Sequence, residues 1–202
     1  MLIICGPRSH YTEQELNDIE NYFEDGGNLL ISLGEGGDAK NNTNLNNFIK
    51  KKYGVGFRDD SVVRTSYYKY FHPKECYIEE TKFHPDLERT IIKPSSKKKK
   101  MMSNDDLLNG EVNDSDDTKL KIVYPYGCSL DIYAKGISTL FTSGLLGYPL
   151  KRPLLTAVGS KSGKGRMLVI GSERMFDDDY FEKEDNRKII VSLTIKNNIT
   201  FN

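Results

Sequence analysis

The sequence predicts an α/β fold: an open sheet that begins parallel and gains antiparallel additions in its second half. Two observations carry that reading. The first is a strand–helix–strand unit at the amino end. Leu2-Ile3-Ile4-Cys5 is a short apolar run that stops at Gly6-Pro7, and Leu29 to Leu33 is a second, nearly continuous one. Unbroken apolar runs suit strands covered on both faces, and a helix between two such strands favours a parallel pair with a right-handed crossover. The second observation is the balance of elements. After residue 120 the apolar runs are short and separated by turn residues: Leu120 to Tyr124, Leu130 to Tyr133, Thr139 to Thr142, Leu154 to Val158 and Met167 to Ile170. That spacing reads as strands joined directly to one another.

Each element has a local reason. Thr12-Glu13-Gln14-Glu15 is a capping box, in which the threonine hydroxyl serves the third backbone amide and the glutamate reaches back. Leu16, Ile19, Tyr22 and Phe23 follow at helical spacing and form one apolar stripe. Asp25-Gly26-Gly27 ends the helix, because glycine adopts the left-handed cap conformation without steric cost. The strand Leu29 to Leu33 is expected to lie inside the sheet, parallel to Leu2 to Cys5. A second helix is expected from Asn44 to Tyr53, on Leu45, Phe48 and Ile49, with Gly54 after its end. Short strands are expected at Val62-Val63 and around Tyr67 to Phe71, and a last helix over Lys183 to Thr194.

The chain has 202 residues, which suits one domain spanning 1–202. Lysine plus arginine and aspartate plus glutamate both number 29, so the net charge is zero. A nucleic-acid partner calls for a basic excess to neutralise phosphates, and none is present. No apolar run is long enough to span a bilayer. Three widely spaced cysteines, Cys5, Cys76 and Cys128, fit reduced thiols in an intracellular protein better than a disulfide framework. The segment 93–119 holds the lysine run Lys97 to Lys100 and then six acidic residues from Asp105 to Asp117. It has too little apolar surface to offset ordering, and is expected to be a disordered surface loop.

Several motifs invite chemical readings. Gly34-Glu35-Gly36-Gly37-Asp38-Ala39 follows a strand and matches the glycine spacing of a dinucleotide loop, with Asp59 near the expected place of a ribose-binding acid. That fingerprint requires a helix to open inside it, whereas Lys40-Asn41-Asn42-Thr43 intervenes before any apolar periodicity, and Glu35 would repel a phosphate. A glycine-rich turn at a strand's carboxyl end is the simpler reading, at a place where open α/β sheets bind ligands. Gly159-Ser160-Lys161-Ser162-Gly163-Lys164-Gly165 imitates a P-loop, but it is one residue short between its glycines and has Gly165 where a serine or threonine belongs. A hairpin turn between two strands explains it. Asp177-Asp178-Asp179 lacks the loop spacing of a calcium site and precedes a helix, where negative charge favours the amino end. His10, His72 and His84 form no metal or hydrolase motif. Cys5 and Cys128, in or beside apolar strands, are expected to act as small hydrophobes.

Read in order, the most distinctive words are Leu2-Ile3-Ile4-Cys5-Gly6-Pro7-Arg8, Leu33-Gly34-Glu35-Gly36-Gly37, Tyr68-Lys69-Tyr70-Phe71-His72-Pro73-Lys74-Glu75, Val123-Tyr124-Pro125-Tyr126-Gly127 and Gly171-Ser172 with Met175-Phe176. This series resembles the family of N-terminal GIFT domains of subunit fifty-two of the intraflagellar transport B complex, over nearly the whole chain. The resemblance implies a Rossmann-like, mostly parallel sheet with helices on both faces, related to class I glutamine amidotransferase domains but without their catalytic apparatus. It also implies a scaffold role in cilium assembly at the cilium and ciliary base, on the cytoplasmic side, with other subunits of the complex as partners. It implies no catalytic residue, no cofactor and no metal. Family members have a further strand and helix ahead of the position of Met1, and a C-terminal part that carries most partner-binding segments. The chain is therefore expected to be an excised domain or an incomplete gene product.

The alternative is a carbohydrate- or small-ligand-binding domain, with Gly34, Glu35, Gly36, Gly37, Tyr68 and His72 around the pocket. A cryptic amidotransferase-like hydrolase would need a cysteine at the glycine elbow, where this chain has Glu35. The Tyr67 to Glu75 segment is expected to be a shaped structural element, with Lys74 and Glu75 pairing with Glu35 and Arg64 and His72 anchored by hydrogen bonds.

Overall fold

The computed structural model describes residues 1–41, 44–66, 69–79, 83–85, 88, 91 and 120–195. The expected loop at 93–119 lies outside the described residues, as do Tyr67 and Tyr68.

The amino-terminal unit forms as expected. Strand β1 (Leu2–Cys5), helix α1 (Glu13–Glu24) and strand β2 (Asn28–Ser32) follow in order, with the two strands parallel and Ile3 opposite Leu30. Thr12 caps α1 reciprocally. Its Oγ1 accepts from the Glu15 amide at 3.2 Å, and the Glu15 carboxylate accepts from the Thr12 amide at 2.7 Å. Ile19 and Phe23 are buried, whereas Tyr22, placed on the same stripe by its spacing, stays exposed. Gly26 leaves the helix at φ +105°, as a left-handed cap requires. Helix α2 (Gly37–Asn41) and helix α3 (Leu45–Tyr53) come next, and α3 ends at Gly54 with φ +72°.

The main sheet has five strands: β1, β2, β11 (Arg166–Ile170), β10 (Pro153–Gly159) and β8 (Ser138–Thr142), in that spatial order. β2 lies between β1 and β11 and is parallel to both, so it is an interior strand. The expectation of a mostly parallel sheet holds only on that side. The pairings of β10 with β11 and with β8 are antiparallel, so the sheet is mixed. The cause is local: Ser160 to Gly165 connect β10 directly to β11, and a connection that short can only join antiparallel neighbours.

Alternation along the strands builds two apolar layers. Leu29, Ile31 and Leu33 share one core with Met167 and Val169 of β11, Ile19 and Phe23 of α1, and Leu45 and Ile49 of α3. Leu30 faces the other way, into a core with Leu168, Leu155, Ile122 and Tyr124. That second core is closed by Ile189, Ile190 and Leu193 of the last helix, α5 (Asn186–Ile195). Helices thus cover both faces.

Three two-stranded antiparallel ladders tie the remaining loops. They pair β3 (Val55–Phe57) with β7 (Leu130–Ile132), β4 (Val63–Arg64) with β9 (Gly147–Tyr148), and β5 (Glu75–Ile78) with β6 (Ile122–Pro125). The strand expected around Tyr67 to Phe71 is displaced: Lys69 to Phe71 form bends, and the strand starts at Glu75. Pro73, with no amide to donate, stands just before that strand and cannot serve a ladder interior. The last helix begins three residues later than expected. Lys183 to Asp185 instead form a turn, in which Asn186 donates its backbone amide to the Lys183 carbonyl at 3.1 Å. The Asp177 to Asp179 run opens α4 (Asp178–Phe181), a single turn that follows the 3-10 turn Glu173–Phe176.

Candidate functional site

The sheet creates one crevice by its topology. The chain leaving β2 forms α2 and α3, and α3 packs in the first apolar layer. The chain leaving β11 passes through the 3-10 turn and α4 to α5, in the opposite layer. Adjacent parallel strands whose helices depart to opposite faces leave a gap beyond their carboxyl ends, the usual ligand position in open α/β sheets. A cleft of about 350 Å³ opens there, lined by Gly34 and Glu35 after β2, Glu173 and Arg174 after β11, Arg8 after β1, and by Lys40 and Tyr126.

Close approach of backbone and carboxylate explains the glycines on its floor. A Cβ at Gly6 would stand 2.1 Å from Oε2 of Glu173, and one at Gly34 would stand 3.3 Å from its Oε1. The Glu173 carboxylate occupies that room and takes a 2.5 Å ion pair from Arg8. The turn is pinned through its amides: Glu35 donates to the Tyr126 carbonyl at 2.8 Å, and Gly36 to the Asp60 carbonyl at 2.8 Å. Gly36 and Gly37 have φ +74° and +49°. They let the chain turn straight into α2, which opens inside the glycine motif. The expectation that no helix starts there is corrected, although α2 is only five residues long.

Glu35 is the electrostatic centre of the turn. Its carboxylate accepts from Lys40, from Lys74 at 2.5 Å and from Ser61 Oγ at 3.3 Å. Burial by itself would raise the Glu35 carboxyl, but the hydrogen bonds and charges of Lys40 and Lys74 outweigh it and hold the group at about 2. The expected pairing of Lys74 with Glu35 is therefore present. Glu75 does not go to Arg64; it accepts from Tyr180 at 2.7 Å and from the His72 amide at 3.1 Å, while Arg64 donates to the Tyr70 carbonyl. The Arg64 amide also donates to the Pro73 carbonyl at 3.0 Å.

Tyr126 forms one wall. Its amide donates to the Lys74 carbonyl at 2.8 Å. The Arg174 guanidinium lies 4.6 Å from its ring centre, and the His72 ring 5.2 Å from it. His72 is exposed and anchored as expected, its Nδ1 accepting from the Lys74 amide at 3.1 Å. Of the residues predicted for a pocket, Gly34 and Glu35 line the cleft. Gly36 and Gly37 shape the turn behind it, His72 reaches it only through Tyr126, and Tyr68 lies outside the described residues. Sequence reasoning missed Arg8, Lys40, Tyr126, Glu173 and Arg174. A signal for three of them existed: Arg8, Glu173 and Arg174 each stand three or four residues beyond the end of a strand on the parallel side.

The thiols are poorly placed for nucleophilic chemistry. Cys128 is buried, and burial pushes its thiol far up; Cys76 is pushed up to about 12 by the same cause. Cys5 was expected to be a buried hydrophobe but is exposed, because β1 is the edge strand. Partial burial, then the charges of Glu173 and Asp177, push it up to about 11, where the thiolate is scarce at neutral pH. Among the described residues no group of three or more His, Cys, Asp or Glu could hold a metal ion. No helix among them is long and apolar enough to cross a membrane.

A family model described as the IFT52 GIFT domain matches residues 1–202. The chain is similar to the intraflagellar transport protein 52 homologue of Mus musculus, 35% identical over 189 residues, and to that of Homo sapiens, 34% identical over 188. Each match covers 93% of this chain but only 42% and 40% of those proteins, so the chain spans about two-fifths of their length. Its structure resembles the mmIFT52 N-terminal domain with a TM-score of 0.76 at 33% identity, covering 96% of this chain and 77% of that one. The chain belongs to the IFT52 GIFT domain family.

Proposed function

We propose that this chain is a non-catalytic scaffold domain of the intraflagellar transport B complex, acting in cilium assembly by protein–protein contact at the cilium and ciliary base, on the cytoplasmic side. Its partners are other subunits of that complex. Its fold is read as a Rossmann-like relative of class I glutamine amidotransferase domains, with Glu35 at the elbow where such an enzyme needs a nucleophile. A carboxylate locked between two lysines cannot serve that role.

The observation that carries the scaffold reading is the connection between β8 and β10. Leu145, Leu146, Tyr148 and Leu150 are between 40 and 62% exposed there. Clustered exposed apolar side chains mark protein contact sites, and this cluster is held in shape. The Ser143 amide donates to the Arg152 carbonyl at 2.9 Å, the Lys151 amide to the Gly144 carbonyl at 2.9 Å, and the Thr65 amide to the Leu146 carbonyl at 2.8 Å. A pre-shaped apolar loop costs little ordering entropy on docking. The test is co-purification with the other subunits of the complex, comparing the natural chain with a Leu145→Ser, Tyr148→Ser double variant. Association should fall while the melting temperature stays within a few degrees. Unchanged association would remove the loop from the contact.

The second reading is a small-ligand site, and the cleft beyond β2 and β11 favours it. It combines the position where α/β sheets bind ligands with converging polar side chains.

A further inference from the structure

We infer that the cleft beyond β1, β2 and β11 binds a small oxyanion, a phosphorylated or carboxylated metabolite, with Arg174 as the group that grips it. This rests on the ligand-site reading above and fixes the chemistry of the ligand.

Local charge is the first argument. The whole chain is neutral, but the cleft is not. Its carboxylates are Glu35 and Glu173, and its cations are Arg8, Lys40 and Arg174, with Lys74 bonded to Glu35 from the side. Four cations against two carboxylates leave an excess of two positive charges. Counting Asp177, on the adjoining rim with Arg8 and Arg174, the excess is still one.

The arrangement is more telling than the sum. Glu35, whose charge taken alone would repel an anion, is over-compensated by two lysines. Glu173 is answered by Arg8. Arg174 is different: among the described residues its guanidinium makes no hydrogen bond and no ion pair. Its guanidinium rests on the Tyr126 ring at 4.6 Å, and that ring is backed by His72 at 5.2 Å. Stacking fixes the guanidinium while leaving its N–H fork free for a planar or tetrahedral oxyanion. A stacked arginine with an open fork, at the mouth of a cleft of about 350 Å³, is a preorganised anion clamp. The volume admits a small metabolite and falls at the low end of ordinary ligand pockets, roughly 300–1,000 Å³. A neutral sugar would meet mostly side chains already paired with each other, and would gain little from Arg174.

The test titrates the chain with inorganic phosphate, glucose 6-phosphate and glucose, following backbone amide shifts and heat of binding, at low and raised salt. The expected result is that both phosphates bind, glucose does not, and the shifts cluster at Arg8, Gly34, Glu35 and Arg174. Raised salt should weaken binding, and Arg174→Gln should lower affinity about tenfold. Lys161→Gln, in the distant hairpin, should leave it unchanged. If glucose binds as well as glucose 6-phosphate and Arg174→Gln has no effect, the oxyanion inference falls while the ligand site stands. If none of the three binds the folded chain, both fall. Equal losses in the Arg174 and Lys161 variants would mean unspecific attraction to lysine and arginine, and would overturn the inference. Should Arg174→Gln fail to fold, shift mapping on the natural chain decides, and shifts away from the cleft defeat the proposal.

Discussion

Two glycine-rich loops lie at opposite ends of the main sheet. Gly34 to Gly37 follows β2 at the carboxyl ends of β2 and β11, while Gly159 to Gly165 joins β10 to β11 at the amino end of β11. Both imitate phosphate-binding motifs in sequence. In the first, the side chains around the glycines converge: Glu35 gathers Lys40, Lys74 and Ser61 beside a cleft. In the second, the bonds tie the turn to itself and to the end of α1. The Gly165 amide donates to Ser160 Oγ at 2.8 Å, and Ser162 Oγ donates to the Glu24 carbonyl at 2.6 Å. The lysines of the hairpin, Lys161 and Lys164, stay exposed. The same residue types therefore make a candidate site at one end and a closed turn at the other. What differs is the strand end each loop occupies: helices diverge beyond the carboxyl ends of β2 and β11 and leave a crevice, whereas a hairpin turns straight back and leaves none.

The strongest way to break this comparison is through β2, which carries the first loop and pairs with β11, the strand that follows the second. Leu30 is fully buried in β2, and Leu30→Ala should cost about 2–5 kcal/mol in chemical denaturation. Hydrogen exchange should quicken at both loops together; quickening at one alone would show that they do not share a support. Next come the glycines that backbone crowds. A Cβ at Gly165 would lie 2.1 Å from the Phe23 carbonyl oxygen, and one at Gly37 would lie 2.5 Å from that of Arg58. Gly165→Ala and Gly37→Ala should each cost about 1–3 kcal/mol, read as a lower denaturant midpoint at unchanged slope.

Smaller effects separate the loops. Glu35→Gln should lower stability by about 1 kcal/mol at neutral pH. Because the Glu35 carboxyl is held down at about 2 against an ordinary 4.5, its contribution is complete above pH 4.5 and is lost as pH falls toward 2. The difference in melting temperature between the natural chain and Glu35→Gln should therefore shrink over that window, and a difference that persists at its acid end would contradict the ion-pair account. Least of all, Gly159→Ala should change stability by less than about 0.5 kcal/mol. Nothing stands within 4 Å of a Cβ there and its φ is ordinary.

Much of the fold was legible in the chain. The capping box at Thr12, the glycines ending α1 and α3, and the apolar run of β2 each state a local preference strong enough to survive folding. The strand at Glu75–Ile78 was harder to see, since its aromatic neighbours Tyr70 and Phe71 draw the strand reading toward themselves, yet Tyr70 is held by Glu184 at 2.6 Å rather than by a ladder. The candidate site was legible only in part. Gly34 and Glu35 are marked by their motif, but Arg8, Tyr126 and Arg174 are single residues with no pattern around them.

By itself the sequence determined the α/β class, the caps and breaks, the interior place of β2 and the family, because these rest on periodicity, on turn chemistry and on words of several residues. Only the tertiary structure decided that the sheet is mixed, that Glu35 is neutralised from two sides, and that Arg174 lies on Tyr126 with its fork open. Glu35 and Lys74 are 39 positions apart in the chain and Arg174 and Tyr126 are 48, and contacts over such distances depend on how strands are ordered, which no local pattern records.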